Sequence, residues 1–157
     1  MAAPAAFSAA PAYAGNGNGQ ANTKIQEATD IVKRSDLEFG TIISGSTDSI
    51  VIVNPNTGGR STFGSAVEAG GNVSPARFEL TRRPLILYTI TVPSAVTISS
   101  GSDTMVIDNF TLDVPPFRLA PPVLPVDEFN VGGSLNVGAN QPAGDYSGTF
   151  TVTIDIL

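Results

Sequence analysis

The chain has 157 residues, 8 Lys and Arg against 14 Asp and Glu, a formal net charge of −6, and no Cys, His or Trp. Without Cys or His there is no thiolate nucleophile, no imidazole base and no Cys/His site for zinc, haem or an iron–sulfur cluster. The acidic balance excludes a phosphate-backbone binder, which needs clustered Lys and Arg, whereas 41% hydrophobic and 14% charged residues suit a chain that folds around a core.

Met1 to Ala14 is small, uncharged and weakly apolar, and it ends in Ala12-Tyr13-Ala14. That A-x-A pattern fits signal peptidase, whose pocket takes small side chains on both sides of one arbitrary residue. Residues 1–14 therefore read as the remnant of an export signal, or else as an Ala/Pro tail with no export role. Residues 15–27 form a separate extension in which Gly15, Gly17, Gly19, Ala21, Thr23 and Ile25 alternate with polar residues. Two readings stand: a flexible Gly/Asn linker, or an extended segment with one small-to-apolar edge, the period of a strand. Ile25, Ala28, Ile31 and Val32 also match helical spacing, so a short helix over Thr23 to Arg34 is an alternative. No segment offers the roughly 18 apolar residues of a membrane-spanning helix, and none is expected.

Residues 28–157 read as one β domain. Leu37-Glu38-Phe39 and Ile42-Ile43 lead to Ser49-Ile50-Val51-Ile52-Val53, a β-branched run closed by the turn residues Asn54 to Gly59. Phe78 and Leu80, then Tyr88, Ile90 and Val92, alternate with polar neighbours, and Val96-Thr97-Ile98 precedes the turn Ser99 to Asp103. Val106, Phe110, Leu112 and Val114 mark the next strand, with Asp108 interrupting its apolar face. Pro115 to Pro125 holds five prolines, predicting an extended polyproline-like surface connection, with Asp127-Glu128 a solvated bend after it. Phe129, Val131, Leu135 and Val137 share one parity, and Gly132-Gly133 between them predicts a bulge or bend. Finally Tyr146, Gly148, Phe150, Val152, Ile154 and Ile156 alternate with Ser, Thr and Asp as one long strand. Eight or nine such strands predict an all-β, immunoglobulin-like antiparallel β-sandwich, whose edges must be covered, charged or paired.

The run from Ser35 to Ile42, Pro75-Ala76-Arg77-Phe78, and Phe129 to Phe150 with its closing G-x-Y-x-G resemble a bacterial secreted family catalogued as a domain of unknown function. That family is similar in pattern to the fimbrial and spore-coat-type pilins of the chaperone–usher class. The resemblance spans roughly residues 28 to 157 and departs from many pilins in lacking a disulfide. It implies a pilin-like sandwich one strand incomplete, whose open groove is filled by strand addition from a chaperone and then from the next subunit. On that reading Gly17, Gly19, Ala21, Thr23 and Ile25 form the donor strand. Tyr146, Phe150, Val152, Ile154 and Ile156 form the C-terminal strand lining the groove. The protein would be a secreted structural subunit of a bacterial surface fibre (fimbrium) or of the periplasm, active in cell adhesion. Its partners would be copies of itself or other pilus subunits, with a periplasmic chaperone and an outer-membrane usher. The alternative is a monomeric secreted or periplasmic sandwich that binds a glycan or an envelope protein.

No catalytic, metal or cofactor site is expected. Asp103, Asp108 and Asp113 recur at odd spacing, which alternates faces on a strand and keeps the carboxylates apart. Arg82-Arg83 reads as an exposed loop pair. The hydroxyls of Ser44 to Thr47 and of Ser99 to Ser102 sit beside acids but have no His or nearby Lys to activate them.

Overall fold

Short β-branched runs broken by Gly, Pro and Asn favour antiparallel strands joined by tight turns. In the computed structural model, which describes residues 30–81, 86–120 and 126–157, they form fourteen strands. These are β1 Asp30–Ser35, β2 Glu38–Phe39, β3 Ile42–Ile43, β4 Ser49–Val53, β5 Arg60–Phe63, β6 Val67–Glu68 and β7 Val73–Ser74. Then follow β8 Ala76–Thr81, β9 Leu87–Thr91, β10 Ala95–Ser100, β11 Asp103–Leu112, β12 Phe117–Leu119, β13 Val126–Val137 and β14 Thr153–Ile156. Every pairing among them is antiparallel. Among the described residues there is no helix, and so none long and apolar enough to cross a membrane. Ile31 and Val32 therefore lie on a strand, not on the helix their spacing allowed, while residues 1–29, donor candidates included, lie outside the described residues.

β13 is the axis of the larger, seven-stranded sheet. Its Val126–Val131 half pairs with β8 and its Gly133–Val137 half with β4 along one edge, while β11 pairs along the other. β1 extends the sheet beyond β8, β5 beyond β4, and β10 beyond β11. Phe129, Val131, Leu135 and Val137 all lie buried on the inner face, as their shared parity predicts. The Gly132-Gly133 pair is not itself the bulge. Between Asp108↔Ser134 and Thr111↔Gly132, β11 carries one residue more than β13, so the bulge is on the partner strand at Asn109, whose φ is 46°. The glycines answer close approach instead: a Cβ at Gly132 would collide with the Val53 carbonyl and lie 2.7 Å from Pro55 Cδ. The bulge also reverses the parity of β11. Ile107 is buried before it and Phe110 and Leu112 turn inward after it, so Val106 faces out, 38% exposed, rather than sharing their face.

The second layer is smaller: three strands in the order β12-β9-β14. The proline-rich connection contributes more than a surface crossing, because Phe117–Leu119 pairs with β9 as an edge strand. Prolines are tolerated there since an edge leaves half the backbone without ladder partners. This sheet covers one cluster of the core, around Tyr88, Ile90, Leu80, Phe78, Phe129 and Val131. Phe78 and Phe129 stack with centroids 5.4 Å apart. Asp127 is not a solvated residue; it is buried on β13, accepts a hydrogen bond from the Tyr88 hydroxyl of β9, and pairs with Arg118 of β12 at 3.2 Å.

On the outer face Glu79 and Glu128 oppose each other across β8 and β13, an unfavourable like-charge pair. Arg34 hydrogen-bonds Glu79 and Arg77 hydrogen-bonds Glu128, which relieves it. The Arg34 hydrogen bond holds the Glu79 carboxyl below its ordinary value near 4.5. The stability this contributes is present above the unfolded value and is lost as pH falls through the folded one. Denaturant midpoints measured on either side of about pH 4.5 should therefore drop more for the wild type than for Glu79→Gln, which has no proton to take up.

Candidate functional site

A three-stranded layer cannot cover a seven-stranded one. The half of the inner face that the small sheet does not cover carries Val51, Val53, Ile98, Ile107, Leu135 and Val137, which form a second core cluster with Phe39 of β2. Over it lie two short ladders, β2 with β7 and β3 with β6, and the irregular segment Gln141 to Phe150. Between them runs a cleft of about 880 Å³, floored by Ile98, Ile107, Leu135 and Val137 and walled by Leu37–Ile43 on one side and Pro142–Phe150 on the other.

The C-terminal wall departs most from its sequence pattern. The alternation from Tyr146 to Ile156 predicts one continuous strand, yet the ladder to β9 begins only at Thr153. Ser147 exchanges a pair of 3.0 Å backbone hydrogen bonds with Ser99 at the edge of β10. Among the described residues, Gly148–Val152 then has no ladder partner. The segment crosses there from the large sheet to the small one. Gly148 allows the crossing, since a Cβ would lie 2.9 Å from Ile98 Cγ2 and 3.0 Å from Thr97 O.

The start of this wall is fixed by its tyrosine. Tyr146 Oη donates to Pro142 O at 2.7 Å and accepts from Gln141 Nε2 at 2.9 Å. A tyrosine hydroxyl returning to backbone a few residues upstream is the tyrosine corner of immunoglobulin-like sandwiches, set at the entry to a strand that such folds normally flank on both sides. Here β9 flanks only its last part. Ser44 Oγ donates to Gln141 O at 2.9 Å, and Asn140 N to Gly45 O at 2.7 Å, tying the two walls at this end.

Of the five residues expected to line the groove, Tyr146 and Phe150 do so. Val152 and Ile154 are half-buried against the first cluster beneath the small sheet, and Ile156 is 48% exposed. Phe150 divides the two regions, with its ring 5.1 Å from that of Phe110 and 6.3 Å from that of Phe78. Leu37, Phe39, Ile98, Ile107 and Leu135 were not anticipated. Leu37, Phe39, Ile98 and Leu135 fall in segments read as strands, and nothing in parity tells a covered core position from an uncovered one. Ile107 has the parity opposite to Val106 and Phe110, and only the bulge at Asn109 brings it inside. The donor candidates Gly17, Gly19, Ala21, Thr23 and Ile25, and the Arg82-Arg83 pair, lie outside the described residues.

Among the described residues no three His, Cys, Asp or Glu come together to hold a metal ion. Asp113 instead accepts from the backbone and side-chain amides of Asn130, at 2.7 and 2.8 Å. A shallower depression of about 640 Å³ on the outer face of the large sheet exposes Ile50, Phe63 and Val106.

Fold and cleft define the class: an all-β antiparallel sandwich whose second layer leaves part of the inner face open. The chain belongs to the family described as Domain of unknown function (DUF4402), which matches residues 29–155. No curated protein and no solved structure matches it.

Proposed function

We propose that this domain is a non-catalytic structural subunit that receives a β-strand from another molecule in its cleft, as the secreted building block of a bacterial surface fibre. The single observation behind this reading is the coincidence of an apolar cleft with a wall, Gly148–Val152, whose backbone has no ladder partner among the described residues. A strand entering there gains main-chain hydrogen bonds worth roughly 0.5–1.5 kcal/mol each, and it covers Ile98, Ile107 and Leu135.

On this reading the Gly15–Ile25 segment, which lies outside the described residues, is donated to a neighbouring molecule. Its side chains are small, with Ile25 alone adding about 1.5–3 kcal/mol by burial, so backbone pairing carries most of the affinity. Neighbouring subunits are the partners on this reading, with a chaperone and usher handling the empty cleft during export.

Size-exclusion chromatography with light scattering tests the proposal. The chain from Gly15 to Leu157 should form concentration-dependent oligomers, and removing residues 15–25 should leave a monomer that a peptide of residues 15–27 binds. Monomers in both cases, with no peptide binding, would refute it.

A further inference from the structure

We infer that Arg60 is the latch that sets the position of the N-terminal cleft wall, and through it the hold of the cleft on an inserted strand; this rests on the strand-accepting reading above. Arg60 opens β5, an edge strand of the large sheet, and by register with Val53 its side chain points to the inner face. That side chain is only 8% exposed. Nη1 donates to the carbonyl of Phe39 at 2.7 Å and reaches those of Gly70 at 3.3 Å and Thr41 at 3.5 Å, while Nε lies 3.3 Å from Glu68 Oε2.

Those contacts fall on the two short ladders that form the wall. β2 and β3 are two residues each, and each pairs with an equally short strand. Four residue pairs make a weak ladder, so the wall needs an anchor outside it. Arg60 supplies one from a rigid edge, because a planar guanidinium can serve several carbonyls at once. The backbone is shaped around it. Gly40 and Gly71 have φ of 74° and 78°. A Cβ at Gly40 would fall on Arg60 Nη1 and lie 2.7 Å from Gly70 O, and one at Gly71 would lie 2.8 Å from Thr41 N. Phe39, whose carbonyl takes the shortest of the Nη1 bonds, carries its ring into the second core cluster and lines the cleft. The guanidinium thus fixes cleft width through the Phe39 backbone.

The test is hydrogen exchange read by mass spectrometry on the full chain, with Arg60→Met and Arg60→Lys, alongside dissociation of a labelled peptide of residues 15–27. Arg60→Met should raise exchange about tenfold in residues 37–44 and 67–74, leave β13 unchanged, and speed peptide release by a similar factor. Arg60→Lys keeps a charge and donors without the planar fork; it should fall between the two, and it decides the matter should the Met variant not fold. Unchanged exchange in 37–44, or a uniform rise that includes β13, would overturn the latch. A wild type that never binds the peptide would instead sink the strand-accepting reading, and the exchange pattern would still decide whether Arg60 holds the wall.

Discussion

Replacing Asp127 with Ala should cost about 3–5 kcal/mol of folding stability, the range for breaking a buried charged pair from one side. Its carboxylate stands on the inner face of β13 and meets Tyr88 and Arg118, both on the small sheet. It is a polar tie between the layers, beside the apolar cluster of Phe78, Leu80, Ile90 and Phe129. Truncation leaves the Arg118 guanidinium, 20% exposed, without this carboxylate and the Tyr88 hydroxyl without this acceptor. Asp127→Asn keeps the shape and an acceptor for Tyr88 but loses the charge, so it should fall between wild type and Ala. Urea denaturation measures all three. A loss below about 1 kcal/mol for Asp127→Ala would mean that the pair behaves as an exposed one.

The second large effect compares the two halves of the core. Phe129 is 1% exposed, stacked on Phe78 and sealed beneath the small sheet. Phe129→Ala should therefore cost about 3–5 kcal/mol, because the space it leaves cannot be filled by solvent or by collapse. Ile98 is 8% exposed, yet it floors the cleft. Ile98→Ala enlarges a space already open to water, so its cost in the isolated domain should be at most about 2 kcal/mol, nearer the transfer term alone. The same substitution should weaken binding of the 15–27 peptide. Equal losses at the two positions would argue that the Ile98 half is as fully covered as the Phe129 half.

Much of the fold is legible in the sequence, since period-two alternation reports directly which side chains of a strand share a face. The buried face of β13 from Phe129 to Val137 and the Tyr88 and Ile90 face of β9 follow from it. The failures have local physical causes. One extra residue at Asn109 reverses the parity of β11, and a bulge leaves no periodic signal of its own. Asp127 resembles a solvated acid until Tyr88 and Arg118, distant in sequence, are brought against it. The alternation from Tyr146 to Ile156 is real, but alternation specifies which side faces inward, not whether a neighbouring strand exists. The cleft was for that reason only partly legible: Tyr146 and Phe150 were placed, while the wall at Leu37–Ile43 and its arginine depend on contacts between short segments with no pattern to read. Arg60 follows a Gly-Gly turn and looks like any exposed base.

The most direct test lies in the amides of Gly148–Val152. Hydrogen exchange followed residue by residue should find them fast in the monomer lacking residues 15–25, and slowed at least tenfold when the 15–27 peptide binds or when full-length subunits assemble. Assembly that leaves these amides as fast as in the monomer would place the contact elsewhere and contradict the account.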